Sequence, residues 1–96
     1  MTKIYQVSTY LEITDPEKLS RYAALAAPAI RAAGGEFLAR GTPVAVKEQG
    51  QMTRVVIIRW PSLEVAKTAF ASETYQQALA ELDGGATRDI RYIEAV

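Results

Sequence analysis

The sequence predicts an α+β fold: an antiparallel β-sheet carrying helices on one face. Three observations predict it. Arg54-Val55-Val56-Ile57-Ile58-Arg59-Trp60 is rich in β-branched residues and stopped by Pro61, the composition of a strand buried on both faces. Alanine-rich segments with apolar residues at steps of three and four stand on either side of it. Strand and helix signals then follow one another in the order β-α-β-β-α-β, so that the two halves repeat one layout.

Ile4 to Ile13 alternates as a first strand. Tyr5, Val7, Thr9, Leu11 and Ile13 share one face, and Ile4, Gln6, Ser8, Tyr10 and Glu12 the other. The first set is the expected core face. The second is amphipathic and suits water, a partner sheet or a lined cavity. Asp15-Pro16-Glu17 starts a helix: the aspartate caps free N–H groups, the proline fits the first helical position, and the glutamate complements the dipole. Leu19, Tyr22, Ala23, Ala26, Ala29, Ile30 and Ala33 make its apolar stripe. Pro28 lacks the N–H that would bond Ala24 and predicts a kink or a break. Gly34-Gly35 ends the helix.

Glu36 to Arg40 is a short strand, Gly41-Thr42-Pro43 a bend, and Val44 to Glu48 a resumption of the strand direction. Gln49-Gly50-Gln51-Met52 turns into the apolar strand, so the pair reads as a hairpin. Ser62 caps a second helix with Leu63, Ala66, Ala69 and Phe70; Ser72 caps a further turn or helix with Tyr75, Ala78, Leu79 and Leu82, ended by Asp83-Gly84-Gly85. Arg88 to Glu94 is the last strand, Ile90 and Tyr92 alternating with Arg91 and Ile93. This plan is ferredoxin-like: four antiparallel strands, the first and third central, with helices on one face. Residues 1–96 are expected to make one domain. The opposite face is left uncovered. Ile4, Tyr10, Val55 and Ile57 are placed on it, and a second copy of the chain is the expected cover.

Composition narrows the function classes. A chain of 96 residues has a limited core, burying about 60–65% of its unfolded surface, and pairing with another copy would extend it. Eleven basic and eleven acidic residues cancel without a Lys/Arg cluster, so neither nucleic acid nor an anionic membrane is an expected partner. The absence of cysteine excludes disulfides and thiol chemistry, and the absence of histidine removes the commonest general base and metal ligand. No cofactor and no metal are expected. No apolar run approaches the roughly 18 residues of a membrane span. Met1-Thr2-Lys3-Ile4-Tyr5-Gln6 lacks the apolar stretch of a signal peptide, so the cytoplasm is the expected location.

Asp15-Pro16, Tyr22, Gly34-Gly35, Arg40-Gly41, Trp60-Pro61-Ser62, Ala66, and Ser72 with Tyr75 occur in an order and at spacings that resemble the domain-of-unknown-function family 1330 over nearly the whole chain. The resemblance implies a dimeric α+β barrel, in which two ferredoxin-like sheets face one another. Trp60 stands where phenylalanine is usual and Glu73 where proline is usual. Leu82 replaces a common arginine, so no anion-binding role carries over to that position. The family has no established reaction, and the resemblance assigns no catalytic residue.

Five residues are the candidate ligand-binding set: Tyr10, Arg40, Arg59, Trp60 and Tyr75. The planar fork of Arg40 suits a ligand carboxylate or enolate, with a salt bridge or a clamp on the backbone carbonyls of the bend as its default role. Arg59, near the end of an apolar strand, either lines a cavity mouth or pairs with Glu12 or Glu94. Tyr10, Trp60 and Tyr75 have apolar bodies and polar tips fit to border a pocket between sheet and helices, with Tyr75 at its rim. Tyr22, on the helix stripe, is expected in the core. Neither glycine pair is a phosphate loop, because each follows a helix.

The expected function is small-molecule binding by a homodimer, in a pocket between sheet and helices. One alternative is a cofactor-independent enzyme of monooxygenase or isomerase type, an analogy from other families on the same barrel; its base would be a tyrosine or a raised carboxylate, with Glu12 the strand-borne carboxylate candidate. Another is a structural or interaction module without a ligand.

Overall fold

The computed structural model describes residues 3–96. Met1 and Thr2, the start of the stretch without a signal-peptide pattern, lie outside the described residues. The elements are β1 (Ile4–Ile13), α1 (Pro16–Ala32), β2 (Glu36–Gly41), β3 (Val55–Trp60), α2 (Leu63–Ala71), α3 (Glu73–Leu82) and β4 (Ala86–Glu94). The strands form one antiparallel sheet in the order β2-β3-β1-β4, with β3 and β1 central. This is the ferredoxin-like arrangement. No helix among the described residues is long and apolar enough to cross a membrane.

Local chemistry places the helix ends. Asp15 Oδ1 accepts from the N–H groups of Glu17 and Lys18 at 3.1 and 3.2 Å. Ser62 Oγ accepts from Val65 N–H at 3.2 Å. Ser72 serves two helices: its hydroxyl donates to Ala69 O at 2.7 Å, closing α2, and accepts from Tyr75 N–H at 3.2 Å, opening α3. Gly34 leaves α1 at a φ of 109°. At Gly35 a Cβ would come within 2.5 Å of Ile30 and 3.0 Å of the Trp60 ring, so that position has no room for a side chain.

Three expectations are corrected. Of the kink or break expected at Pro28, the break is absent: Pro28 sits inside α1, which runs from Pro16 to Ala32. Both Pro28 and Ala24 are on the exposed side, where water satisfies the freed carbonyl. Val44 to Glu48 does not resume a strand; residues 42–54 form an irregular connection. The β2–β3 ladder ends at Gly41↔Val55, and the residues before Val55 that a longer β2 would pair with are themselves irregular, so Val44 and Val46 have no ladder partner among the described residues and are exposed. The core face of β1 is the reverse of the one expected. Ile4, Ser8 and Tyr10 are buried under the helices, while Tyr5, Val7 and Thr9 lie on the open face. The register Ile4↔Trp60, Gln6↔Ile58, Ser8↔Val56 ties that set to the buried residues of β3. Val55 and Ile57 do lie on the open face, opposite Thr9 and Val7, whereas Ile4 and Tyr10 do not.

Candidate functional site

Opposed residues on antiparallel strands share a face at about 4.5–5.5 Å. The pairings therefore arrange the helix-covered face in rows. One row reads Arg40, Val56, Ser8, Ile90; the next reads Phe37, Ile58, Gln6, Tyr92. On the other side Tyr10 pairs with Arg88, and Tyr10 N–H donates to Arg54 O at 2.9 Å, which brings Arg54 alongside. α1 lies over these rows with Tyr22, Ala23, Ala26, Ala27 and Ile30. The small alanine side chains do not fill the space above Val56 and Ser8, and a cavity of about 40 Å³ remains. That is room for about three water molecules.

Arg40, Arg54 and Arg88 all line this cavity. Arg54 and Arg88 each lie 5.8 Å from the centre of the Tyr10 ring, Arg88 lies 4.9 Å from that of Tyr22, and Arg40 4.9 Å from that of Phe37. Ring faces offset part of the positive charge. No carboxylate among the described residues pairs with any of the three. Arg54 Nε is buried without a hydrogen-bond partner. Leaving such a donor unmade costs about 1–3 kcal/mol, more for a charged group.

Arg88 Nη1 donates to the Tyr22 hydroxyl at 2.9 Å, and the Tyr22 and Tyr75 hydroxyls are 2.8 Å apart with their rings edge-on. Burial pushes the Tyr22 hydroxyl well above the usual tyrosine range. The neighbouring Tyr75 adds to this and Arg88 pulls the other way. Tyr22 is therefore a protonated group, not a base, at physiological pH. Burial disfavours the charge on Arg88, but the attraction and hydrogen bond of Tyr22 outweigh it, and the guanidinium stays protonated.

The structure separates the five candidates. Tyr10, 3% exposed, and Arg40 line the cavity. Tyr75 is buried and not on a rim; it meets the site through Tyr22. Trp60, 2% exposed, belongs to the core, and its Nε1 donates to Gln6 Oε1 at 2.9 Å. Trp60 and Tyr75 line a second crevice of about 10 Å³, which shares Gln6 and Ile30 with the first. Arg59 projects from the opposite sheet face and pairs with Glu36, its cross-strand neighbour on β2, and with neither Glu12 nor Glu94. Glu12 is exposed, beyond an irregularity in the β1–β4 register, and is not among the cavity-lining residues. Sequence reasoning missed Arg54 and Arg88 and took core packing as the default for Tyr22 among the aromatics able to border a pocket. The signal was present as parity: Arg54 is in phase with Val56, Ile58 and Trp60, and Arg88 with Ile90 and Tyr92.

The sequence matches the family described as domain of unknown function DUF1330 over residues 3–96. The chain belongs to that family. Its fold is similar to that of the RPA0582 protein of unknown function from Rhodopseudomonas palustris, with a TM-score of 0.78 and 13% identity, covering 99% of this chain and 83% of that one. It is similar also to SnoaB, a cofactor-independent oxygenase from Streptomyces nogalater, with a TM-score of 0.73 and 15% identity, covering 100% of this chain and 95% of that one. A dimeric ferredoxin-like protein of unknown function from Thermobifida fusca gives a TM-score of 0.68 at 12% identity, covering 98% and 92%. No curated protein matches the chain.

Proposed function

We propose that this protein binds a small organic anion in the cavity between the sheet and α1. The observation that carries this reading is the meeting of Arg40, Arg54 and Arg88 without a carboxylate among the described residues, with Arg54 Nε buried and unpaired. A carboxylate or enolate supplies the missing charge and accepts from the planar fork of a guanidinium. The test is calorimetric titration with propionate. The wild type is expected to bind it, Arg54→Met to lose at least tenfold in affinity, and Arg91→Met, on the other sheet face, to match the wild type. Absence of binding to the wild type would remove the reading.

The working form in this proposal is a cytoplasmic homodimer. Support comes from the open sheet face, where Val7 and Ile57 stand opposite one another with no covering element among the described residues, and from the dimeric state of the Thermobifida protein. Native mass spectrometry should give a mass of two chains; a single-chain mass would overturn this part. A second reading, a cofactor-independent oxygenase, draws on the likeness to SnoaB and on the suitability of clustered arginines for an enolate. It lacks a base: the residues lining the cavity include no carboxylate, and Tyr22 is held protonated. Binding without turnover is therefore the better-supported function.

A further inference from the structure

A chain of hydrogen bonds runs through the core beneath the cavity and ends on Ser8. Indole Nε1–H is a donor only, so the Gln6 atom that faces Trp60 at 2.9 Å is the carbonyl oxygen. The amide nitrogen of Gln6 must then face the other way. It donates to Ser8 Oγ at 3.2 Å. Ser8 is 4% exposed and lines the cavity, and its oxygen has no other hydrogen-bond partner among the described residues. Its oxygen is used as an acceptor, so its hydrogen is left to be given away. The space available to it is the cavity.

We infer that the cavity takes the head of a 2-oxo acid: a carboxylate held by the arginine cluster, with an oxo oxygen on the neighbouring carbon accepting from Ser8. This rests on the proposed anion site and specifies its substrate class. The polar groups assigned here are all donors. Those at Arg54 and Arg88 flank Tyr10, and the Ser8 hydroxyl lies one row away, about 6.8 Å along β1 at Cα level. Side chains leaning into a 40 Å³ space from points this close meet acceptors on adjacent atoms of one small ligand. A volume of about three waters matches a carboxylate joined to one carbonyl and leaves no room for an enclosed aromatic ring. A 2-amino acid would bring an ammonium group to a site lined by three guanidinium groups with no carboxylate partner among the described residues, and it would meet Ser8 with a donor. A simple alkanoate would leave the Ser8 hydrogen unused.

Pyruvate and propionate are matched probes that differ at the oxo group. Calorimetry on the wild type should show pyruvate binding about three- to tenfold more tightly, the value of one net hydrogen bond. Ser8→Ala should remove that advantage, so that the variant binds pyruvate and propionate with equal affinity. Gln6→Glu is a second route that does not touch Ser8. One carboxylate oxygen keeps the Trp60 bond and the other takes the Ser8 hydrogen, so both acids weaken and their ratio falls to about one. Equal affinities of the two acids for the wild type, or a pyruvate advantage that survives Ser8→Ala, would overturn the inference while leaving the arginine site standing. Should Ser8→Ala fail to fold, the wild-type ratio and Gln6→Glu decide. If neither acid binds the wild type, the arginine site falls and this inference falls with it.

Discussion

The two faces of the sheet use the same residue for opposite purposes. On the open face Arg59 pairs with Glu36, and Arg91 with Asp89 through two hydrogen bonds of 3.0 and 3.1 Å. On the covered face Arg40, Arg54 and Arg88 meet aromatic rings and a cavity, with no carboxylate partner among the described residues. A pair bathed in water is worth little, about 0–1 kcal/mol. Arg40 is exposed, but Arg54 and Arg88 are partly buried, and a guanidinium drawn from water without an acid costs more than such a surface pair contributes. A net charge of zero conceals this separation: the balance holds for the chain but not for the space above Tyr10. The difference teaches that a charge count speaks to solubility and steering, whereas a site is made by where the counter-charge is missing.

The largest test of the contrast concerns packing. Trp60→Ala, on the covered face, should lower unfolding stability in urea by about 3–5 kcal/mol. A loss under about 1 kcal/mol would mean that the covered face is not the main core. The next test concerns charge. Arg54→Met should stabilise the ligand-free protein by about 1–2 kcal/mol, because an unpaired buried donor is replaced by an apolar stem of similar length. The same variant should lose anion binding. Destabilisation would show that Arg54 already has a partner in solution.

A pH test sharpens the comparison further. Burial raises Tyr22 above the ordinary tyrosine value of 10.0. For a raised group the stabilisation is full below the unfolded pKa and is lost as pH climbs toward the folded one. Urea midpoints of the wild type should therefore fall more steeply above about pH 10 than those of Tyr22→Phe. Parallel curves would remove Tyr22 as the buried titrating group. The smallest effect is expected on the open face: Arg59→Met should change stability by about 0.5 kcal/mol or less and leave propionate binding unaltered. A larger stability loss would show that the open face is desolvated, as a partner copy would make it.

The element positions were legible because their causes are local. A cap such as Asp15 or Ser72 acts on N–H groups two or three residues away, and Pro61 or Gly34-Gly35 ends an element at its own position. Arg40 and Tyr10 were picked out as residue types suited to a ligand, and both line the cavity. Arg59 was chosen by the same reasoning and lies on the other face, because its parity in β3 is odd where that of Arg54 is even. The strand expected at Val44 to Glu48 failed for a related reason. Its residues suit a ladder, but the stretch before Val55 that would pair with them is not a strand, and the ladder stops at Gly41↔Val55.

By itself the sequence determined the order of the strands and helices and most of their ends, and which residues of a strand share a face. It did not determine which face the helices cover. In β1 both faces are amphipathic enough to serve, and alternation fixes parity only relative to the strand itself. The choice belongs to the tertiary structure. The order β2-β3-β1-β4 makes β1 parallel to β2 and β3 parallel to β4, each pair joined through helix, and such crossovers take one hand. That chirality places the helices over Ile4, Ser8 and Tyr10. Register then brings together Tyr10, Arg40, Arg54 and Arg88, which stand on or beside four different strands. No local rule relates those positions, since they are neighbours only once the sheet is paired.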